Sequence, residues 1–460
     1  MSPDIAQLIV TLLTGILLVG ALLALAANKK SLAWLLLVAG SPWAMERIES
    51  DFLTLTLPND VFAGVGSIGV GLFLLFYPQT LEKLMMNPVL KWVMIYLAWM
   101  GLTTPFSEHP VISLKFWISQ TAYFLTFGVG GYLWASGEFS KQGEVYLRVL
   151  LISAVVVLGY CVFRHLELGG TKHTVDKAII PFMREHTVYG AYSAWFSVSA
   201  IVSFFLWRRW WIGLGALVSL SALFLSYSRG AWLSAIGALG LWVFIEGVRR
   251  IALPVRIGLG LLAIVGIAAL TIYFMSYNPQ LLQLQARWRL GEAGEHLISS
   301  FDLQRNLSNM ERLNRWDAAL QMIRTRPLLG FGPNTFSREY SAYQSSLTRT
   351  AISVEMGEMG GAHSEYLTAA AEMGIPGLVL LLLIYFSSLK TGLWGMWYPT
   401  SSTQRWTFAL FTLPLLSYYL HGVINNFMDH GHMAAFLYLH WGIIGALARE
   451  VIPSFYVSAH

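Results

Sequence analysis

The stretch IAQLIVTLLTGILLVGALLALAANKK, residues 5–30, decides the fold class. From Ile5 to Ala27 it carries no charge. That is long enough to cross the hydrocarbon core, which takes about 20 apolar residues of helix. A secretory signal peptide needs a positive segment ahead of its apolar run. Here the positives, Lys29 and Lys30, come after it. The run therefore reads as a retained transmembrane helix, its N-terminus outside and the lysine pair in the cytoplasm.

The rest of the chain agrees. Its 460 residues are 56% hydrophobic and 12% charged, with mean hydropathy +0.57. A soluble domain carries about 25% charged residues, so lipid is the solvent this composition requires. The net charge of +5 reports cytoplasmic Lys and Arg rather than a nucleic-acid surface. The single cysteine, Cys161, lies inside an apolar run, which excludes a disulfide framework and a cysteine-based metal site. Hydropathy predicts spans at 5–27, 31–49, 61–80, 88–104, 112–135, 145–163, 187–207, 211–227, 230–247, 254–275, 375–394, 406–424 and 432–449. Pro42, Glu46 and Arg47 interrupt the second, so 12 spans stand beside 13. The expected fold is an all-α polytopic bundle of 12–13 helices. It divides into an N-terminal bundle, 1–275, a long loop, 276–374, and C-terminal helices, 375–460.

Orientation follows from the basic residues of short loops. With alternating spans, Lys29–Lys30, Lys83 with Lys91, Lys141, Arg208–Arg209, Arg249–Arg250 with Arg256, Lys390 with Arg405, and Arg449 fall on one side, the cytoplasm. The opposite side receives 50–60, 105–111, 164–186, the Ser228–Arg229 turn, 276–374 and 425–431. From Ser276 to Ala362 the long loop holds nine arginines, eight acidic residues and no lysine. Arginine without lysine suits bidentate contacts to phosphate or carboxylate; intra-loop ion pairs are the plainer reading. Leu313, Trp316, Leu320 and Ile323 recur at helical spacing, with Arg312, Arg315 and Arg324 between them. That pattern predicts an amphipathic helix lying on the membrane or capping a cavity. Pro327, Gly330, Gly332 and Pro333 then break it into a turn.

Chemistry-bearing residues gather on the outer side. His363 precedes a short helix that starts at Ser364 and is broken by Gly374 and Pro376 before the next span. The positive end of that helix favours a neutral imidazole, able to take a proton from a hydroxyl; a simple helix anchor is the alternative. Arg229 sits between two apolar runs, where a charge is costly unless it meets a cavity or an anion, or snorkels to the interface. Arg184 lies just before another span, beside Glu185 and His186 and in the same loop as His165, Lys172 and His173. That cluster matches no metal-ligand spacing and reads as a solvated loop. His421, Asn425, Asn426, Asp429, His430 and His432 crowd one turn, as helix caps or as groups that orient a histidine or bind hydroxyls. No Walker A loop, GxGxxG fingerprint or GxSxG elbow occurs, so any donor substrate must bring its own activation.

RLNRWDAALQMIRTRPLLGFGPNTF, 312–336, and AHSEYLTAAAEMGIPGLVLLLL, 362–383, with SYSRGAW at 226–232 upstream, resemble the signature of the O-antigen ligase/polymerase superfamily. The resemblance covers roughly 180–385. It implies a GT-C-like membrane glycosyltransferase of the bacterial inner membrane, multi-pass, with its active site facing the periplasm. It implies a glycan donor on undecaprenyl diphosphate and, as acceptor, lipid A-core, another lipid-linked glycan or a protein. Inversion without a metal or other cofactor is implied, beside membrane lipid, possible envelope-assembly partners and no nucleic acid. His363 matches the family histidine proposed as base. Arg229 and Arg184 match the arginines proposed to hold the diphosphate. Arg312, Arg315, Ser364 and Glu365 complete the expected substrate-binding set, Ser364 standing where many members have Asn. Ligase is the favoured reading, polymerase or protein O-glycosylation the alternative. A transporter would instead need polar residues near the midplane and inverted repeats, which the charge distribution disfavours. A non-catalytic scaffold would tolerate loss of His363.

Overall fold

Runs rich in Leu, Val and Ala satisfy their backbone groups internally in lipid only as helices, and the chain follows that rule. The computed structural model describes residues 3–50, 53–137, 139–249, 307–344, 361–399 and 401–451. The expected span 254–275 and the loop segments 276–306 and 345–360 lie outside the described residues. The helices of the first half are α1 (Pro3–Ala26), α2 (Lys30–Gly40), α3 (Asn59–Phe76), α4 (Gln79–Met86), α5 (Leu90–Thr103), α6 (Pro110–Tyr123), α7 (Gly130–Gly137) and α8 (Phe139–Glu167). Then come α9 (Val175–Ala178), α10 (His186–Trp207), α11 (Trp210–Leu225) and α12 (Arg229–Val248). The second half gives α13 (Leu307–Thr325), α14 (Phe336–Glu339), α15 (Glu365–Trp397), α16 (Ser402–His421) and α17 (Gly431–Val451).

Seven of the described helices are long and apolar enough to cross a membrane, and the pair α4 and α5, bent by 99°, makes an eighth. The fold is an all-α polytopic membrane bundle. Burial separates its centre from its rim: Gly431–Arg449 is buried throughout, whereas Asn59–Phe76 is buried over only 17% of its window. On the rim, Ile16 and Leu23 of α1 and Leu75 and Phe76 of α3 are exposed, as lipid-facing side chains are. At the centre α17 packs on α15, α16 and α7, and α10 packs on α11, α12 and α16.

One expected span is corrected. Residues 31–49 do not form a continuous helix: α2 stops at Gly40, a 3-10 turn carries Pro42, and the chain leaves as strand β1 (Met45–Ser50), paired antiparallel with β2 (Leu53–Leu57). Proline ends the helix. The alternation LTLTL at 53–57 is a strand signal of period 2 that a hydropathy window averages away. Thr56 of this hairpin abuts Gly431 at the start of α17, and the Asn59 Nδ2 donates to the Gly431 carbonyl at 2.9 Å.

The expected outer loops meet at one end of the bundle. Gly190 of α10 packs on Ser228, Tyr227 Oη donates to the Gly170 carbonyl at 2.8 Å, and Glu365 N donates to the Gly422 carbonyl at 2.8 Å. His109 Nε2 is 2.9 Å from Glu339 Oε1, and Arg326 pairs with Glu108. The basic residues expected on the other side gather at the other end. Arg405 Nε pairs with Glu246 at 2.9 Å, Arg249 donates to the Met396 carbonyl at 3.3 Å, and Arg449 bonds Tyr132 Oη.

Candidate active site

The two signature stretches fold as one unit. The turn after α13 lies against a break in α15: Phe331 N donates to Ala371 O at 3.1 Å, Gly332 N to Glu372 O at 2.8 Å, and Ile375 N to Pro327 O at 2.8 Å. Glu372 closes the join with its carboxylate, accepting Asn334 N on Oε2 at 2.8 Å and Phe336 N on Oε1 at 3.0 Å. Two glycines make the approach possible. Gly332 has φ +115° and Gly374 has φ +71°, and a Cβ there would run into Ser107 and the Leu328 carbonyl respectively. Ala318, Ala319, Met322, Phe331, Phe336 and Ala371 form a small core of their own beneath this join. α13 is present as expected, but its contact face is Glu311, Asn314, Arg315, Ala318 and Met322, while Leu313 and Leu320 are exposed.

This unit presents the segment 361–365. Arg315 donates from a terminal nitrogen to Gly361 O at 2.9 Å and from Nε to Glu311 at 2.8 Å. Trp316 Nε1 donates to His363 O at 3.3 Å. Ser364 caps α15 by accepting Leu367 N at 3.4 Å. His363 itself is held in the left-handed region, φ +51°, an uncommon conformation for a residue with a side chain. Its imidazole hydrogen-bonds the side chain of Asn425. Asn425 Nδ2 lies 3.0 Å from His421 Nε2, so three side chains form one line. Gly230 packs on the His421 ring, which brings the neighbouring Arg229 to the same place. Arg312 Nε donates to the Ile424 carbonyl in the same turn at 3.3 Å.

The electrostatics are cationic. Burial, then the Arg315 and Arg312 guanidinium groups, push the His363 imidazole down from its usual range to about 3, so it is neutral at physiological pH. Burial and then the charge of Arg229 push Arg312 down to about 10. Lys172 is also lowered, by desolvation first and then by Arg229 and Arg312. Arg229 thus acts on both Arg312 and Lys172, and like charges brought this close are a ready place for an anion to bind.

Of the expected residues, the structure brings Arg229, Arg312, Arg315 and His363 together. Arg184 is exposed at the same end, two residues beyond Phe182, whose carbonyl is 2.6 Å from His432 Nε2. Arg315 is 3% exposed and engaged with Glu311 and Gly361, which makes it a strut behind His363. Glu365 takes Tyr418 Oη at 2.6 Å, Phe427 N at 2.6 Å and Met428 N at 2.9 Å on a single oxygen, and so clamps the 425–431 turn. The segment around Lys172 reads as a solvated loop, and Lys172, His173, Arg184 and Glu185 are exposed, while two of its histidines are tied into the fold. His165 is 1% exposed with Nε2 2.9 Å from Thr171 O, and His186 pairs with Asp176 rather than with Glu185. Lys172 and Asn425 are the groups sequence reasoning did not assign to the site. Lys172 belongs to a cluster that matches no ligand spacing, and Asn425 is one of six polar residues in its turn with nothing to single it out.

The fold and the site thus define an integral membrane protein whose bundle carries, at one end, a cluster of cations beside a neutral histidine. Residues 214–382 match the family model described as O-antigen ligase, a likeness that supports the O-antigen ligase/polymerase superfamily and, at a coarse level, glycosyl transfer with a lipid-linked glycan and a glycan acceptor. The matched region holds Arg229, Arg312, Arg315 and His363; Lys172, Arg184 and Asn425 lie outside it. No curated protein matches the chain.

Proposed function

We propose that the protein is an O-antigen ligase-type glycosyltransferase of the bacterial inner membrane, moving a glycan from undecaprenyl diphosphate to a hydroxyl of lipid A-core at the periplasmic face. The observation that carries this reading is the convergence of Arg229 and Arg312 on the turn that holds His363: Gly230, next to Arg229, packs on the His421 ring, and Arg312 Nε donates to the Ile424 carbonyl at 3.3 Å, beside a neutral imidazole. The acceptor oxygen attacks the anomeric carbon, the bond to the diphosphate oxygen breaks with inversion, and His363 takes the acceptor proton. Charge grows on the leaving diphosphate as the bond breaks, and guanidinium groups already in place stabilise it without reorganisation. The same diphosphate offsets the cations that hold His363 down. The imidazole therefore gains basicity as the donor binds, against the burial that remains the larger cause of its depression, and a base so placed is worth about 10²–10⁴-fold. Asn425, which bonds the side chain of His363 and lies 3.0 Å from His421 Nε2, positions the imidazole.

The test is purified protein supplied with lipid-linked glycan and one of three acceptors: lipid A-core, a second lipid-linked glycan or a pilin-like protein. Transfer to lipid A-core supports the ligase reading. Transfer only to the second lipid-linked glycan makes it a polymerase, and transfer only to protein an O-oligosaccharyltransferase. Net movement of lipid across liposomes with no transfer would make it a transporter.

A further inference from the structure

Beside His363 lies a cavity of about 110 Å³ with chemistry unlike that of the cationic cluster. Gly361 and Glu365, on either side of His363, form part of its wall. Its remaining lining comes from α5, α6, the 334–337 turn, α15 and the 426–429 turn, and includes no lysine, arginine or histidine. The carboxylates of Asp429, Glu365 and Glu372 face it instead. With no guanidinium, ammonium or imidazole on its wall, this is not a continuation of the cationic cluster. A water needs roughly 10–15 Å³ of such space, so the cavity has room for several waters or for a single ring bearing hydroxyls.

Its polar groups are spaced among aromatic ones. Tyr96, Phe116 and Phe336 supply rings, while Asn426, Asp429 and Thr368 supply oxygens and an amide. Such a mixture, apolar faces with a few convergent donors and acceptors, suits a compact polyhydroxyl ligand. Thr368 gives an independent sign. Some helical hydroxyls in the bundle bond the carbonyl four residues back, as Thr121 does to Trp117 at 2.8 Å and Ser199 to Trp195 at 2.9 Å, and others, Ser193, Ser197, Ser203 and Thr412, are buried without a partner away from this cavity. The Thr368 hydroxyl oxygen is buried on the cavity wall and has no hydrogen-bond partner. A buried hydroxyl left unmet costs about 1–3 kcal/mol and calls for a partner from outside the chain. Glu365 adds a second acceptor: its three bonds all fall on Oε1.

We propose that this cavity is a monosaccharide subsite, which seats one neutral sugar ring of the glycan substrates against Thr368, Asn426 and Asp429 beside His363. The sugar belongs to the acceptor terminus or to the first residue of the donor glycan. The inference rests on the glycosyl-transfer reading for its role, though not for its binding.

The test uses the full chain in detergent or nanodiscs with Thr368→Val, close to isosteric, and Asp429→Asn. Saturation-transfer NMR with methyl glucoside, methyl galactoside and N-acetylglucosamine reads binding directly, and steady-state transfer reads KM and kcat for donor and acceptor separately. The expected result is sugar signal in wild type, weakened in both variants. One KM should rise about threefold to tenfold per lost hydrogen bond with kcat little changed. A rise confined to the acceptor KM assigns the acceptor sugar, and one confined to the donor KM the donor sugar; either supports the subsite. Sugar binding by a wild type that transfers nothing would refute the glycosyl-transfer reading and leave the subsite standing. Wild-type transfer with both KM values and the NMR signal unchanged in both variants would overturn the subsite alone.

Discussion

Glu372→Gln isolates the join on which the site depends. Glu372 is 5% exposed, and its two oxygens receive two different backbone N–H groups, Asn334 at 2.8 Å and Phe336 at 3.0 Å. Glutamine has the same shape but one acceptor, so one of those N–H groups would face an NH₂. A buried donor left unmet costs about 1–3 kcal/mol. No cavity opens, so that is nearly the whole effect. The population in which the 334–343 segment has lifted from α15 should then rise roughly fivefold to 150-fold, at about 1.4 kcal/mol per factor of ten. Arg338 is exposed within that segment. Tryptic cleavage after Arg338, followed by mass spectrometry of the purified protein, should accelerate by the same factor where reclosing outpaces cleavage. Glu372→Ala, which strands both donors, should accelerate it further. Cleavage at the wild-type rate in both variants would refute the idea that the carboxylate holds the turn.

Other outcomes follow from the same geometry. Gly332→Ala and Gly374→Ala place a Cβ against Ser107 and the Leu328 carbonyl at positive φ, and each should cost about 2–4 kcal/mol, read as a lowered Tm in detergent. Because His363 is held down at about 3, the folded protein resists its protonation. The kcat/KM profile, which reports the free enzyme, should therefore lack an acid limb near pH 6.5 and fall only below about pH 5. A limb centred between about 6 and 7 would show an ordinary histidine. Arg229→Gln should lower kcat/KM by roughly 10- to 100-fold through loss of charge-assisted bonds to the diphosphate, with Arg229→Lys intermediate. Asn425→Leu removes the partner of the His363 ring and should lower kcat more than it raises KM.

The helical architecture was legible because lipid leaves a charge-free run few choices. The bias of basic residues among the short loops grouped the segments expected on the opposite side, which the structure joins through the Gly190–Ser228 and Glu365–Gly422 contacts. The hairpin at 45–57 was not legible to a hydropathy window, which cannot tell alternation from uniform apolarity. α13 was found by spacing, but the face it buries was not. The side chains it turns inward are polar, and Glu311 and Arg315 satisfy each other there at 2.8 Å. His363, Arg229 and Arg312 stood out because charge and imidazole are rare at a membrane boundary. Why the two signature stretches occur together needed coordinates: Glu372 and the two glycines are the parts of one joint. Lys172 and Asn425 needed them as well, since only three-dimensional proximity distinguishes them from other polar loop residues.

The most direct test of a neutral imidazole working beside fixed cations is the single-turnover rate of glycan transfer by His363→Ala, in proteoliposomes loaded with lipid-linked glycan and acceptor. A fall of about 100-fold or more, with donor binding retained, is the expected result. A rate equal to that of wild type would contradict it.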